Sequence, residues 1–432
     1  MTNAEKVLHT LCAAGYESYF VGGCVRDTLL GRPVHDRDIA TAALPEQVMA
    51  LFPKCVPTGL KHGTVTVLLG GEPLEVTTFR CDGSYHDGRH PDAVAFVREL
   101  REDLSRRDFT VNAMALHPAR GLVDLFGGRE DLRRGVIRCV GDPVLRFGED
   151  ALRILRALRF ASKLSFRLDD ATADAARKGK EKLALLSRER VQSECTGLLC
   201  GENVRQVLLS FPDILSQPFP FLAAIAGFDQ HNEHHCYDLL GHTAAVVEAI
   251  APVPRLRLAA LLHDCEKPSC FSLDSDGVGH FYGHAARGEK TAETILRDLK
   301  YDNATLSRVP LLVKWHDTPL EETTRMLKRR LNQLGEEALR DLLALQRADT
   351  LGLAERYHDR LAHFDRLEAL LDDILAQNAC FSVRKLAVSG QDLQALGLRG
   401  REIGQAQRRL VDAVIDEQVE NERDALLAFL KA

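Results

Sequence analysis

The sequence predicts an α+β protein, with a small mixed α/β head followed by an all-helical remainder. Three observations carry that expectation. Short apolar runs closed by Gly, Pro or Asp recur up to about residue 140. From residue 141 strand-like runs stop, and Leu, Ala, Arg and Glu recur at helical spacing. A prolyl break, "PFPF" at 218–221, then divides the helical pattern. A chain of 432 residues exceeds one ordinary core. The expected divisions are a head over 1–140, a helical neck over 141–220, a helical body over 221–355 and a helical tail over 356–432.

The elements follow in order. "MTNAEKVLHTLCAAGYESYF" reads as an amphipathic helix with Val7, Leu8, Leu11 and Cys12 on one face. Charges interrupt its apolar positions, so it lacks a signal-peptide core. "SYFVGG", "GTVTVLLGG", "PLEVTTF", "AVAFV" and "GLVDLFGG" read as strands, being rich in β-branched or aromatic residues. "EDALRILRALRFASKL" places Ala151, Leu152, Leu155 and Leu158 on or near one helical stripe. Helical pattern then runs on, broken at "SLDSDGVGHFYGH" and at "VSGQDLQALGLRGREIG" before one last helix.

Composition narrows the class. The chain is 45% hydrophobic and 27% charged, as soluble globular proteins are. No apolar run reaches membrane-spanning length, and the cytoplasm is the expected location. Eleven cysteines, an odd number with no CxxC pair, argue against a disulfide framework and a cysteine zinc site. The net charge of −6 does not announce a nucleic-acid binder, but arginines cluster in "VRELREDLSRRD", "GREDLRRGVIR" and "GLRGREIGQAQRR".

The most informative stretch is "YFVGGCVRDTLLGRPVHDRD", residues 19–38. Side chains two apart on a strand face the same way, so Asp36 and Asp38 can share a cavity if "DRD" begins a strand. Adjacent carboxylates repel, and Mg²⁺ resolves that by taking hard oxygen ligands while keeping positions open for phosphate oxygens. Glu75 in "PLEVTTF" is the candidate third carboxylate. Glycines 22 and 23 allow backbone N–H groups close to a triphosphate, and Arg26 adds charge-assisted contacts.

With "PTGLKHGTVTV", "RRDFTVNAMA", "GLVDLFGGREDL", "VIRCVGDP", "RFGEDALRILRALRFA" and "SRERVQSE" following in order, "GGCVRDTLLGRPVHDRDIAT" resembles motif A of the class II tRNA nucleotidyltransferases, the CCA-adding enzymes, which share a superfamily with bacterial poly(A) polymerases. The resemblance covers nearly the whole chain. It implies a nucleotidyltransferase head with a helical neck, body and tail. It implies template-independent addition of CCA to the tRNA 3′ end from CTP and ATP. Asp36 and Asp38 are the implied magnesium ligands. Gly23 and Arg26 are the implied triphosphate contacts, and Arg107 the contact to ribose or phosphate. Asp150 and Arg153 are the implied nucleotide-reading pair, with Arg156 and Arg159 continuing the same face.

Chemistry supports the reading pair independently. Three apart on a helix, Asp150 and Arg153 project side by side, one offering acceptors and the other donors. Cytosine and adenine both present an amine beside a ring acceptor. Uracil and guanine place a carbonyl where Asp150 expects the amine. The polar, Gly/Asp/His-rich stretch up to about residue 92 matches the family's flexible loop that accompanies the switch from CTP to ATP. Its full length favours complete CCA addition over CC addition alone.

"HHCYDLLGHTAAVVEAI", "LAALLHDCEKP", "GHFYGHAARG", "KWHDTP" and "LQRADTLG" space their histidines and aspartates as an HD domain does. His242, His263, Asp264 and Asp349 would hold a second divalent metal, with His284 and His316 nearby. The family's "HDIGKP" reads "HDCEKP" here; Glu266 in place of glycine is expected to crowd that cavity or to remove backbone freedom it needs, which favours a tRNA-supporting scaffold over phosphohydrolysis. The tail from "GQDLQALGLRG" onward resembles the segment that grips the tRNA elbow by backbone contacts. Competing readings are a poly(A) polymerase, an enzyme adding CC or A alone, an HD phosphohydrolase with a vestigial head, and a noncatalytic RNA chaperone.

Overall fold

The structure, a computed structural model, describes residues 1–34, 36–82, 94–231 and 237–431. The chain forms two compact units, Met1–Pro220 and Phe221–Ala432. Most of the polar loop expected before residue 92 falls on 83–93, outside the described residues.

The first unit opens with α1 (Asn3–Ala13), β1 (Ser18–Val21), α2 (Gly23–Leu29), β2 (Asp38–Thr41), α3 (Pro45–Leu51), β3 (Cys55–Gly59), β4 (Thr64–Leu69) and β5 (Glu72–Thr78). It continues with β6 (Arg80–Asp82), β7 (Val94–Phe96), α4 (Leu100–Ser105), β8 (Met114–His117), β9 (Gly121–Asp124) and α5 (Gly128–Arg134). Seven strands form one sheet in the order β3-β4-β5-β2-β1-β8-β9. Only β2 and β5 run parallel within it. Tyr19, Val21, Ala40, Phe79 and Ala115 pack with Leu100 and Leu104 of α4 into the head's core. Each apolar run expected as a strand carries one. The periodicity does not announce β3, which is largely exposed and holds Pro57, or β8, whose "MALH" reads as helix.

Helices complete the unit: after β10 (Val136–Ile137) come α6 (Pro143–Glu149) and α7 (Leu152–Leu164), then, past β11 (Arg167–Leu168), α8 (Asp170–Gly179), α9 (Arg188–Leu199), α10 (Val204–Ser210) and α11 (Pro212–Leu215). The two short strands pair in parallel. α7 is central: Leu152, Ile154, Leu155, Ala157, Leu158 and Ala161 are all buried.

The second unit is helical, with α12 (Leu222–Ile225), α13 (Leu239–Ala249), α14 (Pro254–Leu262), α15 (His284–Asp298), α16 (Asn303–Trp315), α17 (Thr324–Leu334), α18 (Glu336–Leu351), α19 (Leu361–Ala376), α20 (Gly390–Ala395), α21 (Arg401–Ile415) and α22 (Arg423–Phe429). A two-residue strand pair, Ser272–Leu273 with Gly279–His280, fills the break expected near 272–284. The last helices have their own apolar cluster around Leu393, Leu410, Val414 and Leu426. Among the described residues no helix is long and apolar enough to cross a membrane, and the ten described cysteines are free thiols.

Candidate active site and a buried histidine–aspartate cluster

The glycine turn and the aspartates meet because of strand order. Val21, the last residue of β1, pairs with Asp38, the first of β2. On the other side β2 runs beside β5 with Ile39 opposite Val76, which sets Asp38 level with Glu75. Gly22 follows β1 with φ +74°, a backbone state that favours glycine. A Cβ there would stand 3.1 Å from Arg107 Nη1 and 3.8 Å from Asp38 Oδ2. Gly22, Asp38 and Arg107 therefore form one corner at the amino end of α2. The Asp38 carboxyl lies above its ordinary range. Crowding by protein atoms raises it first and the neighbouring carboxylates of Glu75 and Asp36 add to that, against the opposing charge of Arg107.

One expectation needs correcting here. Asp36 precedes β2, so only Asp38 is on the strand. Asp36, Asp38 and Glu75 are also not among the described groups whose ligand atoms all lie within 4.8 Å of one another. Without a cation, mutual repulsion leaves three solvent-facing carboxylates no reason to close up. The donor set still suits a divalent cation, because hard oxygens surround a carboxyl already burdened by its neighbours' charge.

Arg26 is buried, and each of its nitrogens is engaged. Nε and Nη2 each reach Asp27 at 2.9 Å, Nη1 reaches Asn112 at 2.7 Å, and the guanidinium lies 5.1 Å from the Phe160 ring centre. These bonds fix α2 and leave the second N–H of each Nη for the triphosphate contact expected of Arg26. Gly23 stays beside it, 3.5 Å from Arg26 Nη2 measured from a Cβ position. Arg107 donates to Asp103 at 3.4 Å, while its buried Nε has no partner among the described residues.

The nucleotide-reading pair also differs from the helical picture. Asp150 lies ahead of α7 in extended backbone, φ −142° and ψ 106°. Its Oδ1 accepts from the Leu152 N–H at 3.0 Å, so the side chain caps the incoming helix instead of riding on it. Oδ2 accepts from Arg190 Nη2 at 2.7 Å. Arg153 Nη1 donates to Glu149 at 2.5 Å and to the Arg146 carbonyl at 3.2 Å, and Nη2 donates to the Arg106 carbonyl at 3.1 Å. Arg156 grips Asp108 at 2.9 and 2.7 Å, and Arg159 grips Glu194 at 2.5 Å. Arg156 and Arg159 are thus ion-paired within the protein. Among the described residues, buried Arg146 Nε and Arg190 Nη1 have no partner, donors left over where Asp150 and Arg153 are held. Sequence reasoning gives no role to Arg190 or Glu194, although both stand in "SRERVQSE".

The second unit gathers His242 from α13, His263 and Asp264 from the end of α14, His284 from α15, His316 from the end of α16 and Asp349 from α18. His242 Nε2 is 3.0 Å from Asp349 and 3.5 Å from Asp264. His263 Nε2 is 3.0 Å from Asp264 and 3.5 Å from Asp349. His284 and His316 each approach the other Asp264 oxygen at 3.4 Å. Two groups, His242–His263–Asp264 and Asp264–His284–His316, could each hold an ion, with Asp264 shared. All four Nδ1 atoms face backbone carbonyls: Gly352 at 3.2 Å, Ala260 at 2.7 Å, Phe281 at 2.8 Å and Val313 at 2.7 Å. That leaves every Nε2 directed inward, the arrangement metal-ligating histidines use. Burial disfavours charge on His263, but Asp264 and Asp349 outweigh it and push the imidazole up to about 10. Glu266 does not crowd the cluster. It accepts from Thr291 at 2.6 Å and from Ser269 at 2.5 Å. Asp349 is 32% exposed where Asp264 is 2% exposed, and with His316 it borders a cavity of about 320 Å³ also lined by Arg360 and His363.

The chain's similarities agree with the head geometry. Residues 18–138 match the family described as poly A polymerase head domain, and residues 282–430 match tRNA nucleotidyltransferase domain 2. The CCA-adding enzyme of Lactobacillus helveticus is 37% identical over 99% of this chain and 96% of its own length. That of Lactobacillus delbrueckii subsp. bulgaricus is 38% identical over 99% and 97%. The crystal structure of the Bacillus stearothermophilus CCA-adding enzyme in complex with CTP superimposes with a TM-score of 0.75 at 31% identity, covering 100% of this chain and 98% of that one. The Thermotoga maritima enzyme complexed with tRNA shares the fold at 20% identity, with a TM-score of 0.59 over 99% of this chain and 94% of that one.

Proposed function

The chain belongs to the CCA-adding enzymes, and on that premise we propose that it extends tRNA 3′ ends with C, C and A, using CTP and ATP, through the corner built by Gly22, Asp38 and Arg107. The tRNA 3′-hydroxyl attacks the α-phosphate, the bond to the β-phosphate breaks, and pyrophosphate leaves. Asp36, Asp38 and Glu75 would hold Mg²⁺, which when bound neutralises phosphate charge and lowers the hydroxyl pKa. Gly22 and Gly23, without side chains, let the phosphates approach the backbone, and Arg107 supplies positive charge above the turn. Arg26 holds α2 in place through Asp27 and Asn112.

Asp150 and Arg153 are the proposed readers of the base edge. Asp150 accepts the exocyclic amine shared by cytosine and adenine, and Arg153 donates to the adjacent ring acceptor. Arg190 fixes the carboxylate, and Glu149 with two backbone carbonyls fixes the guanidinium. Arg156 and Arg159, tied to Asp108 and Glu194, keep α7 against its neighbours.

The single observation that carries this reading is the convergence of Asp38, Gly22 and Arg107 at one strand end. A tRNA transcript ending at the discriminator base tests it. Extension by two with CTP alone, and by one more when ATP is added, is expected. A long A tail, or no CTP incorporation, would move the chain to a poly(A) polymerase; a stop after CC with both nucleotides, or A addition only to a CC end, would make it a partial enzyme.

The inward Nε2 atoms favour a second reading for the helical unit, metal-dependent phosphohydrolysis on His242, His263, Asp264 and Asp349, with His284 and His316 completing the ligand set. Metal analysis of the purified chain, with hydrolysis of p-nitrophenyl phosphate before and after chelation, tests that reading.

A further inference from the structure

The first unit holds a cavity of about 560 Å³ between α2, α7 and the turn after α9. Its charged lining is Arg26, Asp27, Arg32, Arg159, Lys163 and Glu202, four cations against two acids. Asp27 and Arg26 cancel each other, since both Asp27 oxygens accept from Arg26 at 2.9 Å, which leaves Arg32, Arg159 and Lys163 against Glu202. Among the described residues Arg32 touches the wall through one donor, Nη1 to the Lys163 carbonyl at 3.2 Å. Arg159 spends Nε on Glu194 and lies against Phe160, 4.4 Å from the ring centre. Lys163 stands exposed at the rim. The cavity therefore carries surplus positive charge with donors to spare, which is what a phosphate oxygen requires.

Position argues which phosphate. The Gly22–Asp38–Arg107 corner is at the amino end of α2, whereas Arg32 and Pro33 follow its carboxyl end. Seven helical residues separate those ends, about 10 Å at 1.5 Å per residue. A triphosphate held at the corner sits on the Arg26 side of the cavity, and Arg32 and Lys163 lie on the far side, beyond the end of α2. The other phosphate-bearing substrate in the proposed reaction is the RNA.

We propose that the cavity lined by Arg32, Arg159 and Lys163 binds a backbone phosphate of the tRNA acceptor strand and so sets the approach of the 3′ end to the nucleotide. The inference rests on the reading of the chain as a CCA-adding enzyme. Contacts of this kind fix position without reading sequence. Arg26 links the two places, because its Nη2 lies 3.5 Å from a Cβ position on Gly23 and the residue also lines the cavity.

The test is charge reversal at the two rim residues, Arg32→Glu with Lys163→Glu, beside the milder pair Arg32→Gln with Lys163→Gln. Binding to a tRNA transcript ending at the discriminator base is measured across salt concentrations, together with KM for CTP and a thermal melt. The reversed pair is expected to weaken tRNA binding about tenfold or more. It should also flatten the logarithmic salt dependence by a slope of roughly one, for the one phosphate no longer held. The neutral pair is expected to fall between it and the wild type, with KM for CTP unchanged in both. A rise in KM for CTP with unaltered tRNA binding would overturn the proposal and assign the cavity to the nucleotide's own phosphates. Unaltered binding of both by folded variants would overturn it as well. If the wild-type chain fails to extend tRNA, the parent reading falls, while the RNA-binding arm still decides whether the cavity takes phosphate.

Discussion

Arg190 Nη2 donates to Asp150 Oδ2 at 2.7 Å, tying α9 to the residue that opens α7. With Oδ1 held by the Leu152 N–H, both oxygens of the proposed base reader are oriented before any nucleotide arrives. Loss of a hydrogen bond to a charged group is worth about 1.5–3 kcal/mol. Arg190→Met is therefore expected to raise KM for both CTP and ATP about tenfold or more while kcat changes less. Arg190→Lys should restore part of the loss. Comparable effects on kcat and KM with a lowered melting temperature would indicate a purely structural bond.

Replacing the reader itself tests a different property. Asp150→Asn exchanges an acceptor for a group that can also donate, so it should admit the carbonyls of uracil and guanine. Incorporation of UTP or GTP into a tRNA ending at the discriminator base, resolved by product length, is the measurement. Unchanged rejection of UTP and GTP by an active variant would remove Asp150 from base selection.

Asp38→Asn is expected to abolish nucleotide transfer while leaving the fold intact, because the residue is exposed at the start of β2 and the amide keeps the size of the carboxylate. A loss of several kcal/mol in transition-state stabilisation is about three orders of magnitude in rate. Single-turnover extension of tRNA checks it, and retained activity would exclude the carboxylate from the site.

Gly22→Ala should act through geometry. Its φ of +74° is strained for a residue with a Cβ, at about 1–3 kcal/mol, and the added methyl meets Arg107 Nη1. A lowered melting temperature together with a raised KM for nucleotide is the expected outcome.

The Asp108–Arg156 pair predicts a pH dependence. Burial acts to raise the Asp108 carboxyl, but Arg156, Asn112 and the Phe109 N–H outweigh it and hold it below the ordinary carboxylate value. A depressed folded value means the ionised form favours the fold. The contribution is complete above about pH 4 and is lost as pH falls through the folded value. Asp108→Asn leaves Arg156 short of its partner and should cost roughly 3 kcal/mol at neutral pH. Its acid-unfolding curve should be flatter than that of the wild type. Parallel curves would mean that other carboxylates govern the acid limb.

The head's strands and α7 are legible in the sequence because alternation and helical spacing are local signals. β8 is hidden since Met, Ala and Leu favour helix, and its place between β1 and β9 is a tertiary choice. Asp36, Asp38 and Glu75 are identifiable from spacing, but not how far apart they rest without a cation. Asp150 is misplaced when "EDALR" is taken as continuous helix. An aspartate two residues before an apolar run is also a capping signal, and that reading fits its extended backbone. Arg190, Glu194 and Asp108 stand inside recognisable motifs, yet their roles depend on helices crossing far from them in sequence. The histidine–aspartate cluster is the most legible site, since each ligand sits in its own short motif. Only the structure shows Glu266 turned toward Thr291 and Ser269.

Three of the clustered histidines are aimed by their own backbone, each Nδ1 facing the carbonyl three residues before it: His263 to Ala260, His284 to Phe281, His316 to Val313. The orientation is thus written into single helix ends and does not wait for the neighbouring helices. With each Nδ1 turned to a carbonyl, Nε2 is the atom left to offer a lone pair to a cation, and each imidazole is aimed before the cation arrives.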